Sequence, residues 1–289
     1  MNQQHVEGFV APDLLVKAEL DEYLGSGMKV FSYPFDSVRP GENTWISVAT
    51  LEKGWDKPRH KHNFDQFRYI VSGSVRLGDH VLRAGDCAYF PESVAYGPQH
   101  QDEDADVLAV QFPGASGQYY LSWDEQARVV ARLDAETENF GLDVHGRPME
   151  TSHLVWAAHQ GRKVEYASPR YRDIVMMRPQ AFDWVPAGSG LERRYLGIFG
   201  ERRTSVEMVR ITSPQTLQPI SEHQPEFWFL TGGSFTCDST TFGVGAGAMV
   251  RTGETHLPSV APVGSAEFLV VRYPLPLPIA AAPIPEEQA

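Results

Sequence analysis

Short apolar runs separated by turns fill most of the chain from residue 29 onward. Valine, isoleucine, threonine and aromatic residues are concentrated in these runs, and glycine or proline stands between them. The pattern is typical of short antiparallel strands. In the first half, the predicted strands are 30–33, 45–50, 68–71, 74–77, 86–90 and 107–112. Many short strands with frequent turns predict an all-β protein of the jelly-roll barrel kind.

The strand pattern occurs twice along the chain, and a shift of 160 residues superimposes the two copies. The shift carries the predicted strand 44–51 onto 204–211. The other matched pairs are Gln66 and Glu226, Gly73 and Gly233, Gly85 and Gly245, Tyr96 and His256, and Pro98 and Pro258. Because a fixed offset is the signature of a duplicated unit, we predict two tandem β-barrel domains.

A different pattern separates the two copies. Ser122 and Glu125 have the spacing of a capping box, and good helix formers follow them to about residue 135. A second short helix is predicted at 151–159. The full prediction is an N-terminal arm (1–27), in which a short helix could form at 13–23, a first barrel (28–115), a helical and irregular segment (116–189), a second barrel (190–275) and a proline-rich tail (276–289).

Composition narrows the functional class. The net charge is −12, which argues against nucleic acid and anionic membranes as partners, because both reward lysine and arginine clusters. No apolar run approaches the roughly 20 residues that span a bilayer, and the first residues lack a secretion signal. We therefore expect a cytoplasmic protein. Cys87 and Cys237 are far apart, and we expect both to be reduced core residues.

Two histidines one residue apart are the strongest chemical signal. In an extended strand the side chains of His60 and His62 leave the same face, and Gln66 can point at the same place. Histidine is the commonest protein ligand of first-row metals. The pair therefore predicts half of a metal site inside the first barrel.

The residues around this pair resemble the signatures of the cupin superfamily. The first signature is carried by Gly54, His60, His62 and Gly73, with Gln66 where the family usually has glutamate. The second is present in a worn form: Gly85 and Pro91 are kept, whereas Ser93, Tyr96 and His100 replace the family's glycine, histidine and asparagine. The chain is identified on these residues, and on the repeat, as a bicupin.

The resemblance implies a divalent metal held by His60, His62, Gln66 and Tyr96, with Fe(II) as first choice and Mn, Ni or Zn as alternatives. An amide cannot neutralise a dication, and a phenol is a good ligand only when deprotonated. His100 or Gln101 could instead reach inward and replace Tyr96. The alternative is that both histidines are remnants of an ancestral site that now form hydrogen bonds within the barrel.

The second copy keeps the other half of the family's ligand set. The offset places Ile220 and Glu222 where the first copy has its two histidines, whereas Glu226 and His256 occupy the positions of the family's glutamate and last histidine. His223 lies one residue out of register, and a bulge could bring it inward. A site of His223, Glu226 and His256 is one hypothesis, and a degenerate structural barrel is the other.

The resemblance implies a metal-dependent enzyme acting on a small oxygenated molecule, first of all an oxidoreductase of the dioxygenase type. Tyr96 and Gln66 are the predicted catalytic residues, with Tyr96 as ligand or as acid and base. A non-redox lyase, isomerase or cyclase is the alternative enzyme, and a small-molecule-binding protein without turnover is the alternative class. The expected partners are a small-molecule substrate and a second copy of the chain in a homodimer.

Overall fold

Antiparallel strands make up most of the structure. The computed structural model describes residues 8–18, 27–35, 44–137, 140, 151–217, 220–221, 223–253 and 259–276. In the first half, the strands are β1 (Phe9–Val10), β2 (Val16–Lys17), β3 (Met28–Ser32), β4 (Trp45–Leu51), β5 (Asp56–Lys57), β6 (Asp65–Ser72), β7 (Ser74–Leu77), β8 (His80–Arg83), β9 (Cys87–Phe90), β10 (Gln99–His100) and β11 (Ala105–Phe112).

The remaining elements are two helices and the strands of the second half. The helices are α1 (Trp123–Glu136) and α2 (Ser152–Gln160), and short 3-10 turns lie at Pro12–Leu14 and Pro179–Ala181. The later strands are β12 (Val175–Met177), β13 (Val185–Gly188), β14 (Leu191–Phe199), β15 (Thr204–Ile211), β16 (Gln215–Thr216), β17 (Glu226–Cys237), β18 (Thr240–Phe242), β19 (Gly247–Val250) and β20 (Ser259–Arg272). The predicted all-β fold is confirmed.

The first barrel is made of two facing sheets. One has the strand order β12-β9-β6-β11-β4-β3-β2, and the other has the order β5-β10-β7-β8. A third sheet, with the path β1-β19-β17-β20-β15-β14-β13, builds the second barrel. Beside this path, β16 pairs with β20 and β18 pairs with β17. The predicted domain bounds stay a prediction, although β12, inside the predicted 116–189 segment, pairs with β9 of the first barrel.

Equivalent glycines show the duplication in the backbone. Gly73 and Gly233 both lie in the left-handed region, with φ of 68° and 75°. A side-chain carbon on Gly73 would collide with the carbonyl oxygen of Asp104, and one on Gly233 would collide with that of Ser265. Glycine is therefore required twice, at the same corner of each copy.

Alternating side chains of the central strands serve two different cores. Phe67 and Tyr69 of β6, with Phe227 and Phe229 of β17, belong to one buried cluster that joins the two barrels. The rings of Tyr69 and Phe229 are 6.2 Å apart between centroids. Because side chains alternate along a strand, the residues between them face the barrel interiors. Gln66, between Asp65 and Phe67, accordingly lies inside the first barrel.

The N-terminal arm connects both barrels. β1 pairs with β19 of the second barrel, and β2 pairs with β3 of the first. The short helix expected at 13–23 is wrong for its described part, because Val16–Lys17 extends to pair with Phe31 and Ser32. Residues 19–23 of that prediction and 277–289 of the predicted tail lie outside the described residues.

Both predicted helices of the intervening segment are present. Ser122 Oγ accepts a hydrogen bond from the Glu125 amide, and the Glu125 carboxylate accepts one from the Ser122 amide, which confirms the capping box. Neither α1 nor α2 combines the length and apolar character needed to cross a bilayer, and this holds for every helix of the described residues. Cys87 and Cys237 are both unpaired and buried, as expected.

A buried carboxyl lies at the junction of the barrels, and its titration should be measurable. Burial raises the pKa of Asp65 from 3.8 to about 7, although its Oδ1 accepts a hydrogen bond from the Glu92 amide. Below pH 3.8 the Asp65 carboxyl is protonated in both the folded and the unfolded state, and its contribution to the free energy of unfolding is complete. As the pH rises from 3.8 toward 7, the unfolded state loses the proton first and this contribution is lost. Asp65→Asn should therefore gain stability over the wild type by about 1.4 kcal/mol per pH unit across that window.

Urea unfolding of both proteins at pH 4.5 and 7.5 checks this expectation. Asp79→Asn, which removes a carboxylate at an exposed turn, is the matched control. The raised pKa of Asp65 would be contradicted if Asp65→Asn and the wild type differed in free energy of unfolding by the same amount at both pH values.

Candidate active site in the first barrel

A backbone bridge fixes the position of the first histidine. The amide of His60 donates to the Tyr96 carbonyl at 3.1 Å, and the amide of Tyr96 donates to the His60 carbonyl at 2.9 Å. The two rings are therefore close, with centroids 4.5 Å apart. The His62 ring lies 5.1 Å from that of His60 and stacks on Phe64. The structure thus brings three of the four predicted side chains together.

Both imidazoles are neutral at neutral pH. Burial, together with the charge of Lys57, lowers the pKa of His60 to about 2. His60 Nδ1 lies 2.8 Å from the Pro58 carbonyl oxygen, which can only accept, so the proton is on Nδ1 and the lone pair is on Nε2. That Nε2 is buried and has no hydrogen-bond partner among the described residues. Burial likewise lowers the pKa of His62, and its Nδ1 is also buried without a partner.

An arginine that the sequence analysis missed lies at the centre of the group. Arg68 is two residues after Gln66 on β6 and leaves the same face. Its Nε donates to Gln66 Oε1 at 2.9 Å, and its two terminal nitrogens donate to Tyr96 Oη at 2.7 Å and to Gln99 Oε1 at 3.2 Å. The Tyr96 hydroxyl in turn lies 3.3 Å from His62 Nε2.

No carboxylate of the described residues neutralises the charge of Arg68. All three of its side-chain hydrogen-bond acceptors are uncharged, and it forms no ion pair with a carboxylate of the described residues. Charged side chains in protein interiors are normally paired. The interior of this barrel is therefore electropositive in a chain whose net charge is −12.

The donor atoms fit a metal at the two histidines. His60 Nε2 and one nitrogen of His62 are buried, neutral and open, which is what a first-row metal requires of imidazole ligands. Gln66 Oε1 and Tyr96 Oη are both engaged by Arg68. Their assignment as metal ligands stays a prediction, and an anion from solution or substrate would have to complete the charge balance.

His100 and Gln101, the two alternatives to Tyr96 as a ligand, differ in where the fold places them. His100 points outward, with Nδ1 2.6 Å from Asp56 and Nε2 3.4 Å from Asp102. Gln101 is fully buried, and neither of its side-chain polar atoms has a partner among the described residues. Of the two alternatives, Gln101 is the one on the inward face.

The second barrel holds its glutamate differently. Glu226 is fully buried, and its two oxygens accept hydrogen bonds from the Ser221 amide at 2.7 Å and from Trp228 Nε1 at 3.0 Å. Burial raises its pKa. His223 is exposed, and Glu222 and His256 lie outside the described residues. Within the described part of the chain, no group of three or more His, Cys, Asp or Glu side chains is arranged to hold a metal.

Comparison with known proteins supports the fold and leaves the chemistry open. The family description "Cupin domain" matches residues 47–111. No curated protein matches the sequence. Among solved structures, a proposed dioxygenase from Nostoc punctiforme is 12% identical, with a TM-score of 0.61 over 94% of this chain and 84% of that one.

Two further structures are similar over nearly the whole chain. A variant of oxalate decarboxylase from Bacillus subtilis is 15% identical, with a TM-score of 0.53 over 94% of this chain and 78% of its own. Protein Ylba from E. coli is 11% identical, with a TM-score of 0.54 over 96% and 97%. Identities this low show the fold alone. Residues 47–111 form a cupin domain, and the chain as a whole has the two-barrel fold of the bicupins.

Proposed function

We propose that the first barrel is the active site of a metal-dependent enzyme that acts on a small oxygenated anion. The observation that supports this most strongly is the Arg68 guanidinium, which lies beside two neutral imidazoles and lacks a carboxylate partner among the described residues. An anionic substrate would supply the missing negative charge. The hydrogen bonds of Arg68 and its contacts with the rings of Phe90 and Tyr96 hold the guanidinium in place without neutralising its charge.

His60 and His62 would hold the metal, with Fe(II) as first choice and Mn, Ni or Zn as alternatives. A divalent cation there would polarise a substrate oxygen as a Lewis acid. Arg68 would bind and orient the substrate's negative group by charge-assisted hydrogen bonds. Tyr96 accepts a hydrogen bond from Arg68, which makes its hydroxyl a better proton donor, so it can give a proton to the bound molecule and take it back.

Two reaction classes remain for this site. A dioxygenase-type oxidation is the first candidate, as the resemblance implies. The contact between the Tyr96 hydroxyl and His62 Nε2 favours a second candidate, a non-redox lyase, isomerase or cyclase, because such reactions move protons. The expected homodimer and cytoplasmic location stay predictions.

Metal analysis of the purified protein tests the proposed site. The wild type should carry close to one Fe, Mn, Ni or Zn per chain, and the His60→Ala, His62→Ala double variant should carry almost none. The His80→Ala, His100→Ala variant is the matched control, because both of those histidines are partly exposed and paired with aspartates. Equal metal content in all three proteins would contradict the proposal.

Oxygen consumption separates the two reaction classes. The Fe(II)-loaded protein is given a panel of short hydroxy- and keto-carboxylates in an oxygen electrode. Uptake that is abolished in Tyr96→Phe and in the double histidine variant is expected for a dioxygenase. Turnover that proceeds equally under nitrogen assigns the non-redox class.

A further inference from the structure

Three polar side chains form a row across the interior of the first barrel. Gln111 of β11 is paired with Gln66 of β6 on one side and with Trp45 of β4 on the other. Side chains of directly paired residues leave the same face, with β-carbons about 5 Å apart. Because Gln66 faces the interior, Gln111 and Trp45 face it as well.

Two neighbouring members of this row, Gln111 and Trp45, have unused hydrogen-bonding atoms. Gln111 is 6% exposed, and its Oε1 has no partner among the described residues. Trp45 Nε1 is buried and equally unpartnered. Burying an unpaired donor or acceptor is costly, so each such atom in a folded protein calls for an explanation. Here the acceptor and the donor belong to directly paired residues of β11 and β4, which points to a single bound group.

The polarity of the two atoms defines that group. Trp45 Nε1 can only donate, and Gln111 Oε1 can only accept. A ketone would leave Gln111 unpaired, and an ammonium would leave Trp45 unpaired. A hydroxyl on the substrate can accept from Trp45 and donate to Gln111.

We propose that Trp45 and Gln111 form a subsite for a substrate hydroxyl, so that the barrel takes a short hydroxycarboxylate. This inference rests on the proposed anion site, because Arg68 would bind the carboxylate. The Arg68 side chain reaches back to Gln66, with Nε 2.9 Å from Gln66 Oε1. The guanidinium thus lies beside the row, which favours a hydroxyl close along the carbon chain to the carboxylate.

Binding of malate and succinate tests the subsite. The two dianions are similar in size and differ by one hydroxyl. Calorimetry on the metal-loaded wild type should show malate bound about tenfold more tightly than succinate, the effect of one buried hydrogen-bonded group. Trp45→Phe and Gln111→Leu remove opposite ends of the subsite. Each should reduce the preference to less than about twofold and leave succinate affinity nearly unchanged.

The outcomes separate this inference from the proposed function. Equal affinity of the wild type for malate and succinate overturns the hydroxyl subsite. This is the result expected if an ordered water pairs with Trp45 and Gln111. Equal weakening of both dianions in Trp45→Phe and Gln111→Leu also overturns it. If Arg68→Met no longer binds either dianion and the wild type binds malate tenfold more tightly than succinate, both proposals are supported. Unchanged affinity for both dianions in Arg68→Met, with the malate preference retained, supports the subsite and overturns the arginine as carboxylate anchor.

Discussion

Replacing Arg68 with methionine should weaken the binding of short carboxylates by about 100-fold or more. Arg68 is the cation that we place against the substrate, and losing one partner of a buried charged hydrogen bond costs about 2–5 kcal/mol. Methionine keeps an unbranched, adaptable apolar side chain in place of the arginine stem, so the barrel should still fold. Calorimetric titration of the metal-loaded variant with malate measures the effect.

Arg76→Met is the matched control for this experiment. Arg76 lies on β7, has a half-exposed side chain and forms an ion pair with Asp102. The substitution removes the same charge from the protein without touching the barrel interior, and malate affinity should change less than about twofold. Equal losses in the two variants would show that net charge, and not the site, attracts the anion. Unchanged affinity in Arg68→Met would contradict the role of Arg68.

Truncating Phe9 should have the largest effect on stability. Phe9 belongs to the N-terminal arm but is 5% exposed, because its ring packs among Phe235, Phe242 and Phe268 of the second barrel. A buried Phe→Ala substitution typically costs about 3–5 kcal/mol. Phe9→Ala should therefore lower the free energy of unfolding by that amount, although the residue lies outside both sequence repeats.

Denaturant unfolding followed by tryptophan fluorescence measures this change. Leu14→Ala is the control from the same arm, because Leu14 is 51% exposed and should alter stability by less than about 0.5 kcal/mol. A loss below about 1 kcal/mol in Phe9→Ala would show that the arm does not contribute to the core of the second barrel.

The fold could be predicted because its signals are local and repeated. Three signals can be seen in the sequence itself: the alternation of apolar residues, the turn glycines, and the constant offset between Gly73 and Gly233. Each reflects backbone geometry. The capping box at Ser122 is likewise a local signal. The arm was harder to predict, because the strand at Val16–Lys17 exists only through its pairing with β3, a contact between distant parts of the chain.

The site could be predicted only in part, and for a similar reason. The His60 and His62 pair has a recognisable spacing, so sequence reasoning found it. Arg68 was missed although the same alternation rule places it on the face of Gln66, because the family signature draws attention to ligands and not to the residues between them. Its lack of a carboxylate partner among the described residues is a tertiary property that no spacing reveals.

Polar atoms without partners are the second feature that sequence cannot supply. Trp45 and Gln111 are ordinary strand residues in the sequence, and each could equally have pointed at a neighbour. The register of β4, β6 and β11 brings them together. In the second barrel, the Glu226 carboxylate is bound by Ser221 and Trp228, an outcome that depends on a tryptophan two residues along the same strand.

The metal site in the first barrel is tested most directly by anomalous diffraction from crystals grown with Mn(II) and malate. We expect one strong peak inside the first barrel, about 2.0–2.3 Å from a nitrogen of His60 and from one of His62, with a malate carboxylate on Arg68. Absence of a peak there, or a peak only at the surface near His100, would contradict the proposed metal site.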